Sequence, residues 1–162
     1  MTNELLYKYY GENSELIKER ALNAAYLEDF AKLPFVIVTS TSRIGDTIGQ
    51  CFVRSGVKPN VFLYADYSLA SFPICQKNLA ACFITHMNLE PYLRDFSDNI
   101  NIFPIYFQNQ PVQLDVTLSF HPERYRPQFA SYFISLLHEH FAQLYSKSLK
   151  RKAPPLYETR TF

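Results

Sequence analysis

The chain has 162 residues, of which 48% are hydrophobic, 16% aromatic and 19% charged, enough to bury the core of one domain or of two small lobes. Sixteen Lys plus Arg stand against fifteen Asp plus Glu, a formal charge of +1, which excludes the basic field that drives nucleic-acid binding. Three cysteines (Cys51, Cys75, Cys82) without CxxC spacing argue against a disulfide framework or zinc ribbon and for a reducing cytoplasm.

At the front, MTNELLYKYYGENSELIKER carries acidic and polar residues where a secretory leader needs an apolar run. No later segment approaches the about 18 apolar residues of a membrane span. Leu5 to Tyr10 reads as a short β-rich aromatic run ended by Gly11. Asn13 or Ser14 caps a helix through Leu16, Ile17 and Leu22, and a second helical stretch, Ala24 to Leu33, stops before Pro34. Phe35-Val36-Ile37-Val38 is four apolar residues in a row, the signature of a strand buried on both faces. After Thr39-Ser40-Thr41-Ser42, a helix follows with Ile44, Ile48, Cys51 and Phe52 as its stripe, Gly56 at its end and Pro59 blocking extension. Val61 to Ala65 is the next strand, Tyr67 to Lys77 a weak helix interrupted by Pro73, and Leu79 to Ile84 a further strand. Strand, helix, strand, helix, strand at these lengths predicts an α/β fold with a parallel sheet and right-handed crossovers.

The last third changes style. Ile102 to Phe107 reads as an edge strand because it contains Pro104, and Val112 to Leu118 alternates apolar and polar like a half-exposed strand. Pro127 opens the clearest helix, with Phe129, Tyr132, Phe133, Leu136, Leu137, His140, Phe141 and Leu144 on one face as core residues. From Ser146 the tail, residues 146–162, is basic and then Pro-containing.

For chemistry, the hydroxyl run Thr39 to Ser42 is the most informative feature. It lies between a strand and a helix N-terminus, at the carboxyl edge where open α/β sheets bind ligands. Backbone N–H groups and hydroxyls there suit a carboxylate, phosphate or sulfate, while plain N-capping by Ser42 explains part of the run equally well. A hydrolase is not indicated, because Ser42 is flanked by Thr41 and Arg43 and not by the glycines of GxSxG. His138 and His140 lie two apart on a helix and point away from each other, so they cannot share a metal. His140 reads as a core histidine, His138 as solvated and His86 as a pocket or hinge candidate at a strand end. Cys51 and Cys82 read as small core residues and Cys75 as partly exposed. Tyr7, Tyr9 and Tyr10 line a cleft or subunit contact, or simply occupy the two faces of a strand. With no Walker A, no GxGxxG and no HExxH, no enzyme activity, cofactor or metal is expected.

Three segments carry a resemblance. They are PFVIVTSTSRIGDTIGQCFVRSGVKP (Pro34 to Pro59), QKNLAACFITHM (Gln76 to Met87) and VQLDVTLSFHPERYRPQFASYFISLLHEHF (Val112 to Phe141). Residues 35 to 141 thereby resemble the effector-binding domain of LysR-type bacterial transcriptional regulators. Asn78 and Ala80 stand where that family usually has glycines, and Thr85 where it usually has proline. The resemblance implies a type 2 periplasmic-binding-protein-like fold, with one complete lobe plus the returning elements of the other. The effector-binding domain would span residues 1–145, with 12–101 forming lobe two and with 1–11 and 102–145 supplying partial lobe one and the crossover. The winged helix-turn-helix and the first half of lobe one have no counterpart before Leu5.

By the same resemblance the ligand-contacting positions are Ser40, Thr41 and Ser42 in the loop, Ser71 and Phe72 at a helix start, and Thr85 at a strand end. The implied function is cytoplasmic sensing of a small anionic metabolite by a homodimer, with DNA binding left to a separate module and no membrane partner. An effector-independent dimerisation module with exposed sheet edges is the alternative.

Overall fold

A computed structural model describes residues 1–89, 99–115, 117 and 127–150 of the chain. These fall into two compact units, Met1–Leu114 and Asp115–Phe162. The first is a mixed α/β unit built on β1 (Pro34–Val38), which lies between β2 (Asn60–Ala65) and β3 (Ala81–Cys82) in a parallel sheet of order β2-β1-β3. The predicted parallel sheet is therefore present, with three strands.

The continuous apolar run of β1 has a physical use, since neighbouring residues point to opposite faces and both faces are covered. Phe35 is 2% exposed and joins the main core with Phe52, Phe83, Leu5, Leu6, Phe30 and Leu33. Val36, fully buried, and Val38 face the other way, and Phe72, Cys75, Ala80 and Leu89 are buried outside that main cluster. The β1–β2 ladder slips by one between Phe35 and Val36, so that Phe35 pairs with Val61 but Val36 pairs with Leu63.

Helix α3 (Arg43–Ser55) forms where the stripe predicts it and buries Gly45, Ile48, Cys51 and Phe52. Ser42 caps its start, Asp46 sits in its first turn and Arg54 in its last, which suits the helix dipole at both ends. Gly56 ends it at φ 70°, the left-handed conformation for which the sequence places a glycine.

The front of the chain corrects the sequence reading. Leu5 to Tyr10 is not a β-rich run but part of helix α1 (Asn3–Tyr10). Leu5 and Tyr9, like Leu6 and Tyr10, are four apart, so two ranks of apolar side chains stack toward the core on one helical surface while Tyr7 is exposed. The Thr2 hydroxyl, buried, accepts the Leu5 N–H at 3.2 Å and caps the helix. A 3-10 turn, Gly11–Asn13, leads into α2 (Ser14–Ala21), which buries Ser14 and Ala21 and half-buries Ile17; the expected stripe residues Leu16 and Leu22 are exposed. Of the predicted stretch Ala24 to Leu33, only Leu27–Phe30 is helical, as one 3-10 turn whose Leu27 and Phe30 are buried.

Two strands are shorter than predicted. Leu79 to Ile84 contracts to β3 because Asn78 adopts φ 59° after α4 (Phe72–Gln76) and the Leu79 N–H still bonds Ile74 at 3.3 Å. Downstream, the Thr85 carbonyl already accepts from Leu89 at 3.0 Å in α5 (His86–Leu89), leaving two residues for the ladder. Ile102 to Phe107 contracts to β4 (Tyr106–Phe107), which pairs antiparallel with β5 (Gln110–Pro111). Gln108 and Asn109 turn between them at φ 49° and 60°, the double positive φ of a tight hairpin. Pro104 does lie at an edge: its carbonyl accepts the Ala25 N–H at 3.0 Å, and Ala25 and Ile105 form an isolated parallel bridge. In the predicted strand Val112 to Leu118, residues 112–115 and 117 are not in a ladder, and 116 and 118 lie outside the described residues.

In the second unit, α6 (Gln128–Lys150) starts after Pro127 as predicted. Of its expected core face, Phe129, Tyr132, Phe133 and Leu136 are exposed, and so is His140, which is therefore no core histidine, while Leu137 and Phe141 are half-buried. The helix continues into the basic tail as far as Lys150, and residues 151–162 lie outside the described residues. Among the described residues no helix is long and apolar enough to cross a membrane.

Candidate functional site

The carboxyl end of β1 runs directly into α3 through Thr39, Ser40, Thr41 and Ser42. Hydrogen bonds fix this turn. Thr39 N–H donates to the Ala65 carbonyl at the end of β2 (3.0 Å), and Ser42 N–H donates to the Thr39 carbonyl (3.1 Å). The Ser42 hydroxyl is engaged as donor and as acceptor: it donates to the Thr39 carbonyl at 3.1 Å and accepts the Gly45 N–H at 3.0 Å. The Thr39 and Thr41 hydroxyls share a hydrogen bond at 2.9 Å, and Ser40 and Thr41 are exposed. Capping accounts for Ser42, then, and not for Ser40 or Thr41. Ser42→Ala should destabilise the unit by about 1 kcal/mol, read from its urea midpoint. An unshifted midpoint would show that the hydroxyl is not holding the helix start.

Gly45 sits where no other residue fits, because a Cβ built on it would lie 2.0 Å from the Thr39 carbonyl oxygen and 2.6 Å from that of Val38. The glycine lets the first turn of α3 lie against the strand end. One turn later Gly49 has nothing within 4 Å of its Cβ position, and an open groove of about 330 Å³ lies along this part of the helix. Ser40, Asp46, Gln50, Val53 and Arg54 line it together with both glycines. Asp46 and Gln50 are tied by a 2.9 Å hydrogen bond from the Gln50 amide to the carboxylate. The groove thus offers a hydroxyl and a carboxylate near the positive end of the helix and a guanidinium toward its other end.

Of the six residues predicted to contact ligand, Ser40 lines this groove and Thr41 and Ser42 adjoin it in the loop. Ser71, Phe72 and Thr85 do not line it. Ser71 is fully buried and its hydroxyl donates to the Ser68 carbonyl, while Phe72 is buried at the start of α4. The half-buried Thr85 hydroxyl accepts the Asn88 N–H at 3.3 Å, and the Asn88 amide reaches the Ser68 hydroxyl at 3.4 Å. These residues form a second polar cluster, around α5, that organises backbone. The residues that sequence reasoning passed over are Asp46, Gln50 and Arg54. Their spacing of four along α3, away from the Ile44, Ile48, Cys51 and Phe52 stripe, was the available signal.

No protein-family model, curated protein or solved structure matches the chain. The site therefore stands on its own residues. Among the described residues no group of three His, Cys, Asp or Glu could hold a metal ion. Cys75 is buried, not partly exposed as the sequence suggested, and its thiol shares a hydrogen bond with that of Cys82. That bond lowers Cys75 to about 6 against the opposing effect of burial, and pushes Cys82 well above the ordinary thiol range, with its own burial adding to the rise. Burial likewise raises Cys51 on the core face of α3 and Tyr10, whose hydroxyl accepts the Lys32 N–H at 3.3 Å.

Proposed function

We propose that this chain is a small-molecule-sensing domain of the kind found in LysR-type regulators, with a type 2 periplasmic-binding-protein-like fold. In this reading it is cytoplasmic, performs no catalysis and leaves DNA contact to another module. It takes a small metabolite with an anionic group at the carboxyl edge of the sheet. Binding would act as a population shift, favouring whichever arrangement gives the ligand more contacts.

The observation that carries this reading is the division of labour in the hydroxyl loop. Ser42 is consumed by the cap, while Ser40 and Thr41 remain exposed at the head of a groove that ends in Arg54. A groove of about 330 Å³ is at the small end of ligand sites, which suits a metabolite of few heavy atoms. Calorimetric titration of the full chain with a panel of small carboxylates, phosphates and sulfates tests it. For a binder, Ser40→Ala with Thr41→Ala should weaken affinity about tenfold, the worth of one or two hydrogen bonds. Arg54→Gln should weaken it by at least as much if the anion reaches the guanidinium. Unchanged affinity in the double variant would remove the loop from the site, and a panel without any binder would sink the sensing of small anions.

A further inference from the structure

On the face of the sheet that points away from Phe35, two thiols meet. Cys82 is the second residue of β3 and is registered with Val36 of the central strand, so it shares the face of Val36. Cys75 lies near the end of α4, 1% exposed, and its thiol shares a hydrogen bond with that of Cys82. Cys82 is half-buried and is also in hydrogen-bond contact with the fully buried Ser71 hydroxyl. The backbone holds both sulfurs in place. β3 is paired with β1, and three bonds close the end of α4: Lys77 N–H to the Pro73 carbonyl (3.2 Å), Asn78 N–H to that of Cys75 (3.0 Å) and Leu79 N–H to that of Ile74 (3.3 Å). Two donors set on a helix and a strand are positioned more sharply than donors on a loop.

We propose that Cys75 and Cys82 form a two-coordinate site for a soft monovalent cation, Cu(I), which takes the place of the proton that the two thiols share. Thiolate sulfur is soft and selects Cu(I), zinc or iron–sulfur clusters. Zinc completes a tetrahedron and iron–sulfur clusters take four protein ligands. Among the described residues no third His, Cys, Asp or Glu stands with this pair. Cu(I), a closed-shell ion, is satisfied by two sulfurs. The thiols are unequal in a way that binding uses. Their hydrogen bond lowers Cys75 to about 6 against its burial, so near neutral pH that sulfur is a thiolate while Cys82 keeps its proton. Two S–Cu bonds then form, the Cys82 S–H bond breaks and its proton leaves to solvent; copper stays Cu(I) and no electron moves. The half-buried Cys82 gives the ion its way in, while Cys75 holds it from the buried side. Cys51 is no part of the site, since it packs in the main core with Phe35, on the opposite face of the sheet. The proposal does not depend on the small-anion reading, because that groove is lined by Ser40 and α3 and not by α4 or β3.

Cu(I) itself is the probe, offered anaerobically to the full chain in ascorbate and in competition with the chromophoric chelator bathocuproine disulfonate. The parent chain should withdraw one Cu(I) per chain from the chelator. Cys75→Ser or Cys82→Ser should weaken binding by about a hundredfold or more, since losing a group that merely supports a ligand already costs a metal site about 10–100-fold. Cys51→Ser, on the other face of the sheet, should stay within about twofold of the parent. X-ray absorption at the copper edge of the loaded parent should show two sulfur neighbours and no nitrogen. That readout decides the matter even where circular dichroism shows a serine variant unfolded. A parent chain that leaves all copper with the chelator, a folded Cys75 or Cys82 variant that binds like the parent, a folded Cys51 variant that binds as weakly as those two, or a copper shell other than two sulfurs would each overturn the proposal.

Discussion

Gly45→Ala should destabilise the first unit by about 3 kcal/mol or more, the upper end of what overpacking costs. The added methyl would lie 2.0 Å from the Thr39 carbonyl oxygen and 2.6 Å from the Val38 carbonyl oxygen. Both obstacles are backbone, so no side-chain rotation relieves them. Either α3 must back away from β1 or the turn from Thr39 to Ser42 must be rebuilt. Backing away breaks the Ser42 cap, and rebuilding moves Ser40 and Thr41 off the head of the groove. Stability and ligand affinity should therefore fall together. Gly49→Ala in the same helix is the control. Its methyl meets nothing within 4 Å, and replacing a mid-helix glycine by alanine should raise stability by about 0.5–1 kcal/mol while adding a methyl to the groove. Urea unfolding of the two variants should shift the midpoint in opposite directions. Equal shifts would mean that the close approach at Gly45 is not what positions the helix.

Where one physical signal dominated, the sequence was readable. β1 needs only a run of apolar residues, and α3 combines a cap, a one-sided stripe and a terminal glycine, so cap, stripe and glycine agree. α1 runs against its composition, because Leu-Leu-Tyr-Lys-Tyr-Tyr is rich in aromatic residues that favour strands. What decides it is the buried Thr2 hydroxyl at the helix start and the four-residue spacing of the paired apolar positions, which only the packed structure rewards. β3 and β4 are shorter than their apolar runs for a different reason. Composition marks apolar chain, whereas ladder length is set by where the neighbouring turns take the backbone, at Asn78 before β3 and at Gln108 and Asn109 after β4.

The site was legible in part. A hydroxyl loop between strand and helix could be located from sequence, but which hydroxyls remain free depends on the cap geometry at Ser42. Ser71 and Phe72 belong to a helix start with the right residue types, yet both are buried, and burial at a helix start is a tertiary property. Asn78 adopts φ 59°, a left-handed conformation that Asn enters more readily than other side chains and that composition alone does not announce.

Phe35→Ala should cost about 3–5 kcal/mol, as for other buried phenylalanines reduced to alanine. Phe35 stacks on Phe83 at 5.4 Å and 16°, and meets Phe52 edge-on at 5.5 Å and 71°. Phe52 and Phe83 close the triangle at 5.8 Å and 85°. One ring thus ties the central strand to α3 and to the residue that follows β3, so its removal opens a cavity at the junction of all three. Domains of this size are commonly stable by about 5–15 kcal/mol, and the loss would consume a large part of that margin. Phe35→Leu keeps most of the volume and should cost less than half as much. Tyr64→Ala, on the exposed outer strand, should move stability by no more than about 0.5 kcal/mol. Urea midpoints in the order parent, Tyr64→Ala, Phe35→Leu, Phe35→Ala are the expected series. If Phe35→Ala instead unfolds with Tyr64→Ala, the three rings do not form the centre of the core, and β1 is not the strand on which the sheet is built.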